Sequence, residues 1–215
     1  MLIAGIIGHE GRVQTANLIS SILSSTGKKV NVIDSKNLIE LDSQRFKNYL
    51  SELKRNGTDI LVIKIGIEDL SSVIFDDLNI DIMIYTEKSG EDNVDNSSTG
   101  EHMKRVMSLM NEKSIAIVNI DDHELAKLMY GVKNYIISYG FNSKASMTTS
   151  SIGDAFICCL QRSISDKNGI LIEPQEYRLD INTSAFDSHS IMAAITFAII
   201  NGVNPNTINK VNIKM

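Results

Sequence analysis

Short apolar runs alternate with amphipathic stretches from the N-terminus to about residue 140, the order expected of a parallel sheet flanked by helices. The runs Leu2–Ile7, Val30–Ile33, Ile60–Ile65, Ile82–Tyr85, Ile115–Ile120 and Tyr135–Ser138 predict strands. Between them, Gln14–Ser25, Asp42–Asn56, Glu101–Asn111 and Asp122–Tyr130 carry helical spacing. Asp42 and Asp122 are the expected N-caps, with Gly27, Gly57 and Gly131 as stops. From Ala155 the pattern changes. Ala155–Arg162, Ile170–Glu173 and Tyr177–Asn182 read as strands joined by turn-forming residues at Asp166–Gly169 and Pro174–Gln175, and predict an antiparallel meander. A closing helix over Ser188–Asn201 places Ile191, Ala194, Ile195 and Ala198 on one face. The segment Glu87–Gly100 is rich in Ser, Asn, Asp and Gly and reads as a mobile surface loop.

With 215 residues and 43% hydrophobic content the chain can bury a large core, which excludes disorder of the whole. The net charge is −5 and no basic run exceeds a dipeptide, which argues against nucleic acid or an anionic membrane as partner. No apolar stretch approaches the roughly 20 residues needed to span a bilayer. The N-terminal apolar run is short and lacks a basic leader, so the expected location is cytoplasmic. The only cysteines, Cys158 and Cys159, are adjacent in a strand-like run. Their side chains should point to opposite faces, as buried thiols in a reducing compartment.

The first strand runs into Gly8-His9-Glu10-Gly11-Arg12-Val13-Gln14-Thr15, and a helix follows. This is the frame of a phosphate loop, in which glycines let backbone N–H groups curl around phosphate oxygens. A Lys then neutralises the terminal phosphates and a Ser or Thr hydroxyl holds Mg²⁺. Here the Lys position is Arg12 and the hydroxyl position is Val13. Arg keeps the charge on a broad planar fork, and Val cannot ligate a metal. The pattern predicts that anion binding survives and metal-assisted phosphoryl chemistry does not. The alternative is an ordinary strand-turn-helix corner with two glycines. The fold class expected is α/β, a P-loop-type, mostly parallel sheet flanked by helices with a small appended antiparallel sheet. Residues 1–215 form one domain in this reading, with the nucleotide-loop part over 1–154, the meander over 155–187 and the closing helix and tail over 188–215.

The order of these elements and five separate segments resemble the central ATP-binding domain of the Mur ligases, most of all the synthetases that add an amino acid to a UDP-N-acetylmuramoyl-peptide. Gly5-Ile6-Ile7-Gly8-His9-Glu10-Gly11-Arg12 resembles the phosphate loop, and Asp59-Ile60-Leu61-Val62-Ile63-Lys64-Ile65 the metal-binding strand. Val118-Asn119-Ile120-Asp121-Asp122 matches the Asn-x-Asp-Asp turn. Ser138-Tyr139-Gly140-Phe141 is similar to the Thr-Tyr-Gly strand end, and Phe186-Asp187-Ser188-His189-Ser190-Ile191-Met192-Ala193-Ala194 to the helix near the nucleotide base.

What the resemblance implies for chemistry is undone position by position. The metal-binding Glu of the third strand aligns with Lys64, a reversal of charge where Mg²⁺ would sit. The family's Asp-His-Leu-Asp becomes Asp92-Asn93-Val94-Asp95, with Asn93 for the metal-binding His. The lysine that the family carbamylates falls on Met107, and its Asn-x-x-Asn becomes Asp187-Ser188-His189-Ser190. The resemblance leaves no catalytic or metal-binding residue. It leaves Gly8, His9, Glu10, Gly11, Arg12, Val13, Lys64, Asn119 and Asp187 as candidate anion or nucleotide contacts. No cofactor is required in this reading, and ATP or phosphate would bind weakly and without Mg²⁺. A complete ligase of this kind also needs modules that hold the UDP-sugar and close over the amino acid, and the chain is expected to lack them unless a protein partner supplies them.

Plainer roles compete for several residues. His9 also fits an exposed turn, and Asp76, Asp77 and Asp81 fit solvated positions before a strand. Asp121 and Asp122 fit a helix start, where carboxylates meet orphan N–H groups. Met103, Val106, Met107 and Met110 fit core packing. Three functions remain open: a degenerate Mur-ligase-like domain acting as a binding or regulatory protein in a pathway of cell-wall precursors, an ATP-dependent ligase subunit completed by a partner chain, and a metal-free nucleotide or anion sensor in which Arg12 and Lys64 replace the metal.

Overall fold

In the computed structural model, the residues described are 1–8, 10–86, 104–129, 131–152, 155–179 and 186–208. The apolar runs form the strands β1 (Leu2–Ile7), β2 (Val30–Asp34), β3 (Ile60–Ile65), β4 (Ile80–Tyr85), β5 (Met110–Asn119) and β6 (Tyr135–Tyr139). Four more are β7 (Met147–Ile152), β8 (Phe156–Leu160), β9 (Ile164–Ser165) and β10 (Leu171–Ile172), and the last is β11 (Gln175–Leu179). A nine-stranded sheet has the order β11-β8-β7-β6-β5-β4-β1-β3-β2, and β9 and β10 make a separate two-stranded ladder. Every pair from β2 to β7 is parallel, whereas β7–β8 and β8–β11 are antiparallel. β1 is interior, third from the β2 edge and held between β3 and β4. Gly5 permits that position: a Cβ there would lie 2.9 Å from Met83 Sδ and 3.0 Å from the Cδ1 atoms of Ile65 and Ile80.

Side chains alternate across the strands and so feed one core on each face of the sheet. Ala4 and Ile6 pack on one face with Leu18 and Ile22 of α1 (Glu10–Ser24) and Phe197 of α5 (Ser188–Ile200). Ile7, Leu61 and Ile63 pack on the other with Phe46 and Leu53 of α3 (Ser43–Arg55) and Leu125 of α4 (His123–Leu128). A short α2 (Ser35–Ile39) follows β2, and α6 (Pro205–Ile208) closes the described chain. Caps fall where the side-chain chemistry requires them: Asp42 Oδ1 accepts from Arg45 N at 2.8 Å, and Asp122 Oδ1 from Leu125 N at 3.0 Å. Gly27, Gly57 and Gly131 all have positive φ, between +74° and +86°, as helix-terminating glycines do.

Five features differ from their sequence pattern. The three segments expected to form a meander do not pair in sequence order: β8 pairs directly with β11, which opens at Gln175 where a turn was expected, and β10 pairs with β9 in the separate ladder. α1 begins at Glu10 rather than Gln14, because Gly11 is helical and buried, with its carbonyl oxygen 3.4 Å from Ser190 Oγ. Met110 and Asn111 open β5 instead of ending a helix. An irregular register pairs Ile80 with Met110, and Ser114 Oγ, which accepts from Asn111 N, donates to the Ile80 carbonyl. β7, in a stretch to which the sequence pattern assigns no element, is a strand that carries the antiparallel segment onto the edge of the large sheet. The expected apolar stripe on α5 is an all-round buried surface, since every residue from Ser190 to Ile200 is buried between α1 and the sheet.

Asp76, before β4, pairs with Arg105 at 2.6 Å, and Asp81, the second residue of β4, accepts at Oδ2 from Ile3 N at 2.7 Å. Both serve structure. Val106 and Met107 pack in or against the core, while Met103 lies outside the described residues. Cys158 is fully buried and Cys159 half-buried on the other face, both as free thiols. Residues 87–103, including the expected surface loop and Asn93, lie outside the described residues, and so does His9. Among the described residues, no helix is long and apolar enough to cross a membrane.

Candidate functional site

The carboxyl end of β1 meets the start of α1 through Gly8, whose φ of +151° only glycine adopts readily. Arg12, in the first turn of α1, folds back so that Nη1 donates to the Gly8 carbonyl at 2.6 Å, and its buried Nε has no protein partner. The guanidinium therefore stays at the loop it follows in sequence. Val13 is 40% exposed and offers no ligand atom. Glu10 is the first helical residue.

Lys64, next to the last residue of β3, is in register with Ile6 of β1 and Asp34 of β2. Its Nζ lies 3.4 Å from Asp34 Oδ2, with both side chains about a quarter exposed, so this cation has its own counter-ion. Of the two counter-charges expected in the metal-free reading, Arg12 and Lys64, Lys64 is thus already paired. Parallel register brings the end of β2 beside the end of β3, and the sequence pattern of single strands does not display that pairing. Among the described residues, no three His, Cys, Asp or Glu side chains converge as a metal-ligand set. Neither Val13 nor the Lys64–Asp34 pair suits the Mg²⁺ of a working phosphate loop.

The other half of the site is built by α5. Asp187 caps the helix, with Oδ2 accepting from Ser190 N at 2.9 Å, while its own N–H donates to Gln14 Oε1 of α1 at 2.8 Å. Ser190 Oγ donates to the Gly11 carbonyl at 3.4 Å. Two bonds thus tie the start of α5 to the start of α1. Asn119, buried at the end of β5, turns its Oδ1 to accept from Asp121 N at 3.0 Å and shapes the corner that follows.

Asp121 does more than open a helix. Its Oδ2 accepts from Phe141 N at 2.7 Å and its Oδ1 from Asn142 N at 2.9 Å, joining the β5 corner to the β6 corner. His189 Nε2 lies 2.9 Å from the same Oδ2. His189 Nδ1 is 3.7 Å from Asp187 Oδ1, too long for a hydrogen bond but within ion-pair range. The imidazole meets the rings of Phe141 and Tyr139 edge-on, at centroid separations of 5.0 and 6.4 Å. The Asp187 carboxylate pushes the His189 ring above its ordinary pKa; burial opposes this and Asp121 adds to it. For both carboxyls burial works upward, but it is outweighed by the bonds to His189 and to backbone N–H groups, so both titrate below their ordinary value.

Of the residues singled out from the sequence, Gly8, Gly11 and Arg12 lie at the loop, Lys64 stands beside it in register, and Asp187 joins it through Gln14. Asn119 connects only through Asp121 and His189. Gln14, Asp34 and the Asp121–His189 contact were not singled out. Gln14 reads as one more polar helix residue, and His189 as part of a cap.

The strand, glycine turn and helix on an interior parallel strand belong to an α/β domain with a mostly parallel sheet flanked by helices. The model of the Mur ligase middle domain matches residues 6–196, and the chain belongs to that family. It is 21% identical over 234 aligned positions to the UDP-N-acetylmuramoyl-L-alanyl-D-glutamate–2,6-diaminopimelate ligase of Bacillus cereus, covering 95% of this chain and 44% of that enzyme. A solved structure of a ligase with that same name superposes with a TM-score of 0.75 at 14% identity, over 100% of this chain and 47% of that one. MurF from Acinetobacter baumannii gives 0.63 at 14% identity, over 99% of this chain and 46% of that one. FolC of E. coli, solved with DHPP and ADP, gives 0.62 at 14% identity, over 99% of this chain and 57% of that one. The chain thus spans about half the length of the relatives it matches.

Proposed function

We propose that this chain is a Mur-ligase-like domain that has lost ATP-dependent ligation and works as a binding or regulatory protein linked to cell-wall precursor metabolism. The observation that carries this reading is Lys64, which presents an ammonium, paired with Asp34, at the carboxyl end of the strand beside the phosphate loop. A divalent cation about 4 Å from an ammonium is opposed by roughly 8 kcal/mol at an effective dielectric constant near 20, twice the figure for two unit charges. Asp34 offsets part of that repulsion. The hydroxyl that would complete a metal site is also absent, since Val13 stands in its place.

The loop itself keeps the means to hold an anion without metal: N–H groups at the start of a long helix, a glycine turn and the Arg12 guanidinium. Phosphate, a nucleotide or an acidic side chain of a partner suits it. The link to cell-wall precursors rests on the named activity of the diaminopimelate ligase relative.

A second reading is an ATP-dependent ligase subunit whose remaining parts, in a partner chain or in further domains, correspond to the part of that enzyme outside the 44% this chain covers. The two separate in one assay. In the first reading the purified chain hydrolyses ATP no faster than buffer with Mg²⁺ or Mn²⁺, and a partner captured from the native cell adds no amide-forming activity. Metal-dependent turnover that disappears in Arg12→Ala, alone or with the captured partner, would overturn it.

A further inference from the structure

We propose that His189 is a protonation-operated latch that holds the first turn of α5 against the corners after β5 and β6 and braces the start of the phosphate-loop helix. The ring stands between two carboxylates from different elements, Asp121 from the β5 corner and Asp187 from the cap of its own helix. Only an imidazolium can present N–H groups toward both. A neutral ring keeps one N–H. If that proton stays on Nε2 for Asp121, the Nδ1 lone pair faces the Asp187 carboxylate and the contact turns repulsive.

Among the described residues, the other groups that meet the ring are two aromatic side chains, and Asp187 and Asp121 are the charged groups that shift it. From β6 comes Tyr139, whose hydroxyl donates to the Tyr85 carbonyl, and from the corner after β6 comes Phe141, which is apolar. From α1 comes Gln14, uncharged and bound to Asp187 N, while the Arg12 guanidinium is turned to the Gly8 carbonyl. The Asp187 N–H and the Ser190 hydroxyl on the latched turn contact Gln14 and Gly11 of α1, so loss of the latch loosens one wall of the loop. This coupling is a property of the fold and stands whether or not the loop binds an anion.

The sign follows from the direction of each shift. His189 is raised, so its contribution is complete below the ordinary histidine value and is lost as pH rises through its folded value. The two carboxyls are lowered, so theirs is complete above the ordinary carboxyl value and is lost as pH falls through their folded values. The latch is closed between those limits and opens on the alkaline side as pH rises through the raised folded value of His189.

The test uses the whole chain and two measurements tied by linkage. NMR titration of the His189 ring nitrogens should give a midpoint above about 6.5, the unperturbed histidine value. Amide exchange at Phe141, Asn142 and Ser190, corrected for base catalysis, should lose protection through the same midpoint. Each unit by which the midpoint is raised corresponds to about tenfold in protection. Asp187→Asn keeps a good N-cap but removes one charge, and should bring the midpoint and the protection change down together. His189→Gln should abolish the pH step while the fold persists. A midpoint at or below the ordinary value, a raised midpoint without the protection step, or a midpoint unmoved in Asp187→Asn would overturn the latch, and the wild-type titration decides even if a variant fails to fold.

Discussion

Phe197→Ala in α5 is expected to destabilise the chain by about 3–5 kcal/mol, a substantial part of the roughly 5–15 kcal/mol that keeps a domain folded. Phe197 is fully buried in the core between α1 and the sheet, and every residue from Ser190 to Ile200 on that helix is buried. A helix enclosed on all sides cannot collapse around a lost ring without moving either α1 or the strands, so the cavity term is added to the lost transfer energy. In urea unfolding followed by circular dichroism, the midpoint should fall by roughly 1–5 M at slopes of about 1–3 kcal/mol/M. A loss below about 1 kcal/mol, the range of an exposed or readily repacked site, would contradict the central placement of α5.

Gly140→Ala should cost about 2–4 kcal/mol, more than a glycine in an ordinary turn, because two penalties coincide. Its φ of +143° is a conformation that alanine adopts only under strain, and a Cβ would sit 2.6 Å from Asp121 Oδ2. The carboxylate must then move off the N–H groups of Phe141 and Asn142 and off His189. Asp121→Ala removes the same bonds directly. The double variant should therefore be less destabilised than the sum of the two single variants, since both act through one carboxylate. Additive costs in thermal or urea unfolding would mean that Gly140 acts through backbone strain alone.

Much of the fold was legible because the apolar periods were clear. Leu2–Ile7 and Ile60–Ile65 appear as strands with the expected bounds, and Asp42, Asp122, Gly27, Gly57 and Gly131 mark helix ends as their chemistry dictates. β7 was hidden because a strand made of Met, Thr and Ser is recognised by its neighbours β6 and β8 rather than by its own composition. The burial of α5 on all sides was hidden for a related reason: Ser190 and Thr196 interrupt the apolar pattern, yet each hydroxyl bonds to a carbonyl inside the fold. The candidate site was legible in its loop and in its cap, where local motifs carry the signal. The Lys64–Asp34 and His189–Asp121 pairs join residues 30 and 68 positions apart, and only parallel register and helix docking bring them together.

The central claim is that the loop has exchanged metal-assisted chemistry for metal-free anion binding. Calorimetric titration of the chain with phosphate, diphosphate and ATP, each with Mg²⁺ and with a chelator, tests it most directly. The account predicts weak binding that is indistinguishable in the two conditions, is lost in Arg12→Ala, and is only slightly reduced in Lys64→Ala, where Asp34 already supplies the counter-ion. Binding that requires Mg²⁺, or that survives Arg12→Ala unchanged, would contradict it.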